Sequence, residues 1–255
     1  MRLIDTHTHI YLSAFDHDRA TMIQRARDTG VERFYLPGID SDSIAPMLDL
    51  EKAYPGECFA MMGLHPCSVN KTYKEELSIV DEWLKARPFA AVGEIGLDMY
   101  WDTTFATEQF EAFRIQIEWA LQYDLPIVIH TRNAMQPTID VVNEYKGRGL
   151  RGIFHCFGDS REMAEQILDA GFLLGIGGVV TYKNSGLDQV LEYVPIDRVV
   201  LETDAPYLTP APFRGKRNES SYLQYVVEKL ANVYGMDAEE IGEVTSRNAL
   251  GLYAQ

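Results

Sequence analysis

Several features that would place a chain outside the ordinary globular enzymes are missing here. The three cysteines, Cys58, Cys67 and Cys156, contain no C-x-x-C pair, and their odd number argues against a closed disulfide framework. Such cysteines predict a reducing, cytoplasmic setting. No apolar run approaches the roughly 18 residues of a membrane helix. An aspartate and two histidines close to the start exclude a secretory apolar region there. Positive charge is scarce too. Against 38 Asp and Glu stand 23 Lys and Arg, a net charge of -15, which argues against a protein that wraps long nucleic acid on a broad basic face. A metal centre with a small local basic patch can still hold a single strand end. The glycine pattern of a dinucleotide site is incomplete, because Val180 stands where Gly175-Ile176-Gly177-Gly178 would need its third glycine. There is no G-x-S-x-G elbow, and Cys67 and Cys156 read as small buried residues rather than nucleophiles. Repeats, low-complexity segments and linkers are absent as well, so residues 1–255 are expected to form a single domain.

What the sequence does have is alternation. Short runs rich in β-forming residues occur at Arg2 to Thr8, Arg33 to Pro37, Cys58 to Leu64, Ala90 to Ile95, Pro126 to His130, Gly152 to His155, Phe172 to Ile176 and Val199 to Thr203. Helical patterns separate them, at Asp18 to Asp28, Ser43 to Ala53, Lys74 to Ala86, Thr107 to Tyr123, Met135 to Tyr145, Arg161 to Ala170 and Gly186 to Val194. The clearest carries Phe110, Phe113, Ile117, Ala120 and Leu121 as one apolar stripe. Tyr222 to Tyr234 and Ala238 to Tyr253 read as closing helices, the second with Asp237 as its N-cap. Eight strands alternating with helices predict parallel pairing, and a chain of 255 residues has the size of a closed (β/α)₈ TIM barrel.

In such a barrel the catalytic groups stand at the carboxyl ends of the strands. Five of the six histidines close apolar runs: His7 and His9 after the first, then His65, His130 and His155. Glu94 and Asp204 hold the same place on the fourth and eighth. Two histidines at i and i+2 on a strand share a face and can reach one divalent ion. Four imidazoles (His7, His9, His130, His155) and two carboxylates (Glu94, Asp204) are too many for one tetrahedral ion with an open position. They suit two ions sharing a bridging carboxylate. Glu94, from midway round the barrel, is the expected bridge, with one ion on His7, His9 and Asp204 and the other on His130 and His155.

The segment Pro212 to Asn218 adds Arg214, Lys216 and Arg217 as a basic loop on the catalytic side, read as an anion-recognition loop. Arg132, two residues past His130, offers bidentate phosphate contact, unless it simply pairs with Glu94. For Tyr100, Trp101 and Tyr207, core or lid packing is the plainer reading, with stacking on a terminal base as the functional alternative.

Taken in order, Asp5-Thr6-His7-Thr8-His9, Gly63-Leu64-His65-Pro66, Gly93-Glu94-Ile95-Gly96-Leu97-Asp98, His130-Thr131-Arg132, His155-Cys156-Phe157 and Leu201-Glu202-Thr203-Asp204-Ala205-Pro206-Tyr207-Leu208 give the chain its affinity. It resembles the TatD-like metal-dependent deoxyribonucleases, a branch of the amidohydrolase-type barrels. The resemblance implies a phosphodiesterase that trims single-stranded DNA, or RNA, from the 3′ end with two divalent ions, Mg²⁺, Mn²⁺ or Zn²⁺. It implies the same six metal ligands, a phosphate or scissile-group contact at His65, and the basic loop at Arg214 to Asn218. Cys67, Asn133 and Ser220-Ser221 depart from the family's pattern. The expected catalytic residues are Asp204, orienting or deprotonating the attacking water, Glu94, and His65, protonating the leaving oxygen. Glu202 is expected to support the metal ligands from behind. The competing reading is a metal-dependent hydrolase of a small amide, ester or aminoacyl-tRNA ester. The lysine that would carry a bridging carbamate on the fourth strand is absent, since Glu94 holds that place. No membrane and no obligate protein partner are expected.

Overall fold

Each strand of this chain pairs on both edges. The computed structural model describes residues 1–253; the last two residues of the expected 1–255 unit lie outside the described residues. Strands β1 (Leu3–Asp5), β2 (Val31–Leu36) and β3 (Cys58–Ala60) pair in parallel and in order. So do β4 (Val92–Asp98), β5 (Ile127–Arg132), β6 (Gly152–Phe154), β7 (Leu173–Ile176) and β8 (Val199–Leu201). Two seams join these sheets into a ring. At one, Met62 bridges Val92, and the Gly93 amide donates to the Met62 carbonyl at 3.0 Å. At the other, the Thr6 amide donates to Leu201 at 2.9 Å, joining the last strand to the first. The result is the expected (β/α)₈ barrel. Its helices are α1 (Arg19–Asp28), α2 (Ser41–Ala53), α3 (Tyr73–Ala86), α4 (Ala106–Gln122), α5 (Met135–Asn143), α6 (Arg161–Asp169), α7 (Leu187–Leu191), α8 (Leu223–Tyr234) and α9 (Ala238–Tyr253).

Side-chain alternation sorts the strand residues into two buried layers. Ile127 and Ile129 of β5 face outward to a core shared with helix residues such as Phe113 and Ile117 of α4. Val128 faces inward. It joins Ile4, Tyr35, Met61, Ala91, Ile153, Leu173 and Val200, one from each strand or its edge, in a separate cluster with Ala249 and Leu252 of α9. Helix α9 thus plugs the amino-terminal end of the barrel, with Tyr253 stacked on Tyr35 at 3.8 Å between ring centroids. Two residues beyond Val128, Ile153 and Val200 come His130, His155 and Glu202, the next inward positions towards the open end.

The first strand differs from expectation. It ends at Asp5, so His7 and His9 stand beyond it rather than on it. Backbone hydrogen bonds to the neighbouring segments fix them instead: Asp204 amide to His7 carbonyl at 2.9 Å, Thr8 amide to Tyr35 at 3.0 Å, and His9 amide to Ala205 at 2.8 Å. The third strand likewise stops at Ala60, short of the expected Leu64.

Candidate metal centre

Glu94 reaches the barrel mouth because the β4–β5 register shifts between Gly93 and Ile95. The Glu94 amide leaves the ladder to donate to Gly38 at 3.0 Å, and such a bulge re-aims the side chain. Gly93 permits this close approach, since a Cβ there would lie 2.8 Å from that of Val128. Asp204 adopts φ 54° in the turn after β8, a left-handed conformation that aspartate tolerates.

The two oxygens of Glu94 address different imidazoles. Oε2 lies 3.1 Å from His7 Nε2 and 3.6 Å from His9 Nε2. Oε1 lies 2.9 Å from His130 Nδ1, 3.3 Å from His65 Nε2 and 3.4 Å from His155 Nε2. Asp204 Oδ1 completes the first side, 3.4 Å from His9 and 3.7 Å from His7. Among the described residues, three sets of donor atoms lie close enough together to hold an ion: His7, His9 and Glu94; His7, His155 and Asp204; and His65, Glu94 and His130. All six expected ligands therefore converge. Their grouping differs from the expected one, because His155 turns towards His7, stacked at 3.6 Å, and His65 joins Glu94 and His130.

Hydrogen bonds behind the rings fix which nitrogen is free. The Tyr11 hydroxyl donates to the Pro37 carbonyl at 2.6 Å, so its oxygen accepts the Nδ1–H of His9 at 2.9 Å and leaves Nε2 facing the carboxylates. Glu202 Oε1 takes the Nδ1–H of His155 at 3.1 Å, and Asp98 Oδ2 takes the Nε2–H of His130 at 2.8 Å. Carboxylates and hydroxyls placed so are the usual outer supports of metal-binding histidines. His65 is wired the opposite way. Its Nδ1 accepts the Cys67 amide at 3.0 Å, so the proton stays on Nε2 and that nitrogen is a donor. His7 is buried with hydrogen-bond partners for neither ring nitrogen, its Nε2 pointing at Glu94 without donor alignment. A buried lone pair against a carboxylate calls for a cation between them.

The electrostatics agree. Burial opposes the charge of Glu94, yet the imidazoles of His65, His7 and His155 and the His130 hydrogen bond hold it well below the usual carboxylate range. Burial likewise disfavours charge on His155, but Glu202 and Glu94 push it up to about 9. His9 is raised despite its burial by Tyr11, Asp204 and Glu94, while burial and the neighbouring His155 lower His7. The carboxylates thus demand positive charge at the positions that ions would fill, and ion binding would release those protons. The donor set fits divalent ions of the imidazole-binding kind.

These groups floor an open cavity of about 750 Å³. Its walls include Cys67, Asp98, Trp101, Arg132, Cys156, Tyr207 and Leu208. Arg132 does line the site, but its guanidinium lies over Tyr100 and Trp101 instead of pairing with Glu94. The basic loop stands outside the walls. Arg214 lies over Tyr182, Lys216 over Phe213, and Arg217 is held by Asp18 at 2.7 and 2.8 Å. Cys67 is exposed rather than buried as expected, and Cys156 is half-buried. Desolvation and the nearby Asp98 push the Cys67 thiol up to about 12, which disfavours the nucleophilic thiolate. The roles of Asp98 and Tyr11 escaped the sequence reading. Asp98 stood inside a recognised motif, four residues after Glu94, and that spacing was the available signal.

The comparisons with known proteins follow this geometry. Residues 4–254 match the family model described as TatD related DNase. The metal-dependent hydrolase YabD of Bacillus subtilis, described as uncharacterized, is 38% identical over 98% of each chain. The TatD of Pectobacterium parmentieri, described as a 3′-5′ ssDNA/RNA exonuclease, is 30% identical over 98% of this chain and 99% of its own. The crystal structure of YjjV, a TatD homologue from Escherichia coli K12, superimposes with a TM-score of 0.93 at 30% identity, covering 98% of this chain and 97% of that one. On these matches, and with its ligand-rich barrel mouth, the chain belongs to the TatD-related DNase family of metal-dependent hydrolases.

Proposed function

We propose that this protein removes nucleotides from the 3′ end of single-stranded DNA, or RNA, at a site holding two divalent ions. The observation that carries the proposal is the split of Glu94, whose two oxygens face separate imidazole sets on the floor of an open cavity. The 3′-5′ exonuclease named among its relatives, 30% identical, supports the substrate class. His7, His9, Glu94, His130, His155 and Asp204 would hold the ions. Bound there, divalent metals acidify a water and offset charge on the phosphoryl oxygens.

The chain's own groups then divide the work. Asp204 lies at the open side of the cluster and accepts the proton of the attacking water. His65, kept neutral by burial and by the Cys67 amide on its Nδ1, presents an N–H at Nε2 that hydrogen-bonds a phosphoryl oxygen, while the leaving oxygen takes its proton from water. Arg132 on the wall and Arg214 and Lys216 beyond it meet the phosphates of the rest of the strand, while Arg217 holds their loop against Asp18. The three free cysteines suit the cytoplasm. Among the described residues no helix is long and apolar enough to cross a membrane.

The test is a chelator-stripped assay on 5′-labelled single strands, with Mg²⁺, Mn²⁺ or Zn²⁺ restored separately and Glu94→Ala run alongside. A ladder shortening from the 3′ end is expected. Glu94→Ala should lower activity by about 100-fold or more and reduce bound metal while remaining folded. Absence of strand cleavage with every metal, in a protein that retains its ions, would overturn the proposal.

A further inference from the structure

Large aromatic side chains left in solvent need a reason, because burying them elsewhere would be favourable. Among the described residues the most exposed large apolar side chains are Trp101 at 68%, Tyr193 at 58%, Tyr207 at 54% and Tyr100 at 50%. Three of these four stand at the mouth of the barrel, and Trp101 and Tyr207 line the same cavity as Glu94 and Asp204. Trp101 follows β4 and Tyr207 follows β8. In a ring of eight consecutive strands those positions are diametrically opposed, so the two rings flank the metal site from opposite rims.

Each side is built. Trp101 meets Tyr100 edge to face at 4.9 Å, and the Arg132 guanidinium lies over Tyr100 at 3.9 Å and over Trp101 at 5.1 Å. The Asp98 carboxylate accepts the amides of both Tyr100 and Trp101, at 3.0 and 3.1 Å, and the same residue holds His130. The aromatic platform is therefore fixed to a proposed metal ligand through one side chain. On the facing rim, the Tyr207 ring lies 6.2 Å from that of His9, and its amide donates to the Asp204 carbonyl at 2.8 Å.

We propose that Trp101 and Tyr207 form a stacking clamp for the unpaired bases at the end of the strand, with the scissile phosphate on the acidic and imidazole floor between them. This inference rests on the exonuclease reading and names how the strand end is recognised. The occupant follows from the chemistry of the walls. Planar π-faces beside a guanidinium suit a heterocyclic base joined to phosphate, and stacking of this kind tolerates any base. A paired terminus would have to unpair and unstack before its bases could enter separately, so the clamp favours single strands. The exposure of Trp101 and Tyr207 excludes packing in the core.

The test uses the metal-loaded enzyme and two oligothymidylates, one ordinary and one whose two terminal nucleotides lack bases. Stacking is worth about 5- to 150-fold per base. Trp101→Ala and Tyr207→Ala should raise KM on the ordinary strand by such a factor, with the loss on KM rather than kcat, and Trp101→Phe should recover most of it. For the wild type, base-free ends should raise KM similarly; for Trp101→Ala they should add little further. The exposed positions make misfolding a poor explanation, and unchanged thermal unfolding of the variants checks this. If the wild type trims both strands equally and Trp101→Ala leaves KM unchanged, the clamp is wrong while the exonuclease stands. If the wild type trims neither strand, the exonuclease reading falls and the clamp with it.

Discussion

Glu202 is buried with one carboxylate oxygen, Oε1, shared between His155 Nδ1 and the Cys156 amide, and the other, Oε2, without a hydrogen-bond partner. Room for that second oxygen exists only because residue 175 is glycine, as a Cβ there would lie 2.2 Å from it. So costly a placement has a purpose if the charge fixes the His155 tautomer and strengthens its Nε2 as a donor to metal. Glu202→Gln should weaken metal binding by about 10- to 100-fold, read by competition with a chromophoric chelator. A purely structural role would lower the unfolding midpoint and leave metal affinity unchanged. At this scale the residues that converge at the barrel mouth were legible, since histidine and carboxylate at the ends of apolar runs have few other uses in such number. Of their supports only Glu202 was; Tyr11 and Asp98 were not, because their bonds to His9 and His130 depend on how the loop after β1 turns and how β4 lies beside β5.

Among the elements, α4 shows how little of a helix's task its apolar stripe describes. Phe113, Ile117 and Ala120 are buried as the periodicity predicts, with Phe110 and Leu121 only partly so. The same helix also buries Gln109 and Gln116, seven residues apart and hence on one face. Gln116 accepts the Leu64 amide at 2.7 Å and donates to the Leu64 carbonyl at 3.2 Å, pairing the backbone just before His65. Gln109 does the same for Asp98, at 2.8 and 3.1 Å. Two side chains thus satisfy backbone groups of Leu64, beyond the end of β3, and of Asp98, the last residue of β4, where β3 no longer offers a partner. Gln116→Leu keeps the volume but leaves the Leu64 groups unpaired, and should cost about 1–3 kcal/mol in urea unfolding. A loss indistinguishable from zero would mean that water replaces the amide.

For the molecule as a whole, an ion-pair network ties the end of the chain to its beginning. Arg217 holds Asp18 through two nitrogens, and Arg25 bridges Asp18 and Glu219 with contacts of 3.0 and 2.6 Å. The hydrogen bond from Arg217, then that from Arg25, keeps Asp18 below the usual carboxylate range, and Arg25 and Ser221 do so for Glu219 against its burial. A depressed folded pKa adds stability that is complete above the unfolded value, near 4, and is lost as pH falls towards the folded one. Unfolding free energy should therefore decline below about pH 5, and Asp18→Asn should flatten that decline. An identical acid slope in the variant, measured by urea titration at several pH values, would show the network to be idle.

By itself the sequence determined the alternation of strands and helices, hence the parallel barrel, and it determined which residue types could bind metal, because periodicity and side-chain chemistry are local properties. Tertiary structure alone decided the rest. It ended β1 before His7, divided the imidazoles between the two oxygens of Glu94, made His65 a donor where its neighbours are acceptors, and left Trp101 and Tyr207 exposed on the wall of one cavity. Apart from the His65 tautomer, which the Cys67 amide two residues on decides, those outcomes depend on contacts between segments far apart in the chain, and such contacts are set by the closure of the ring.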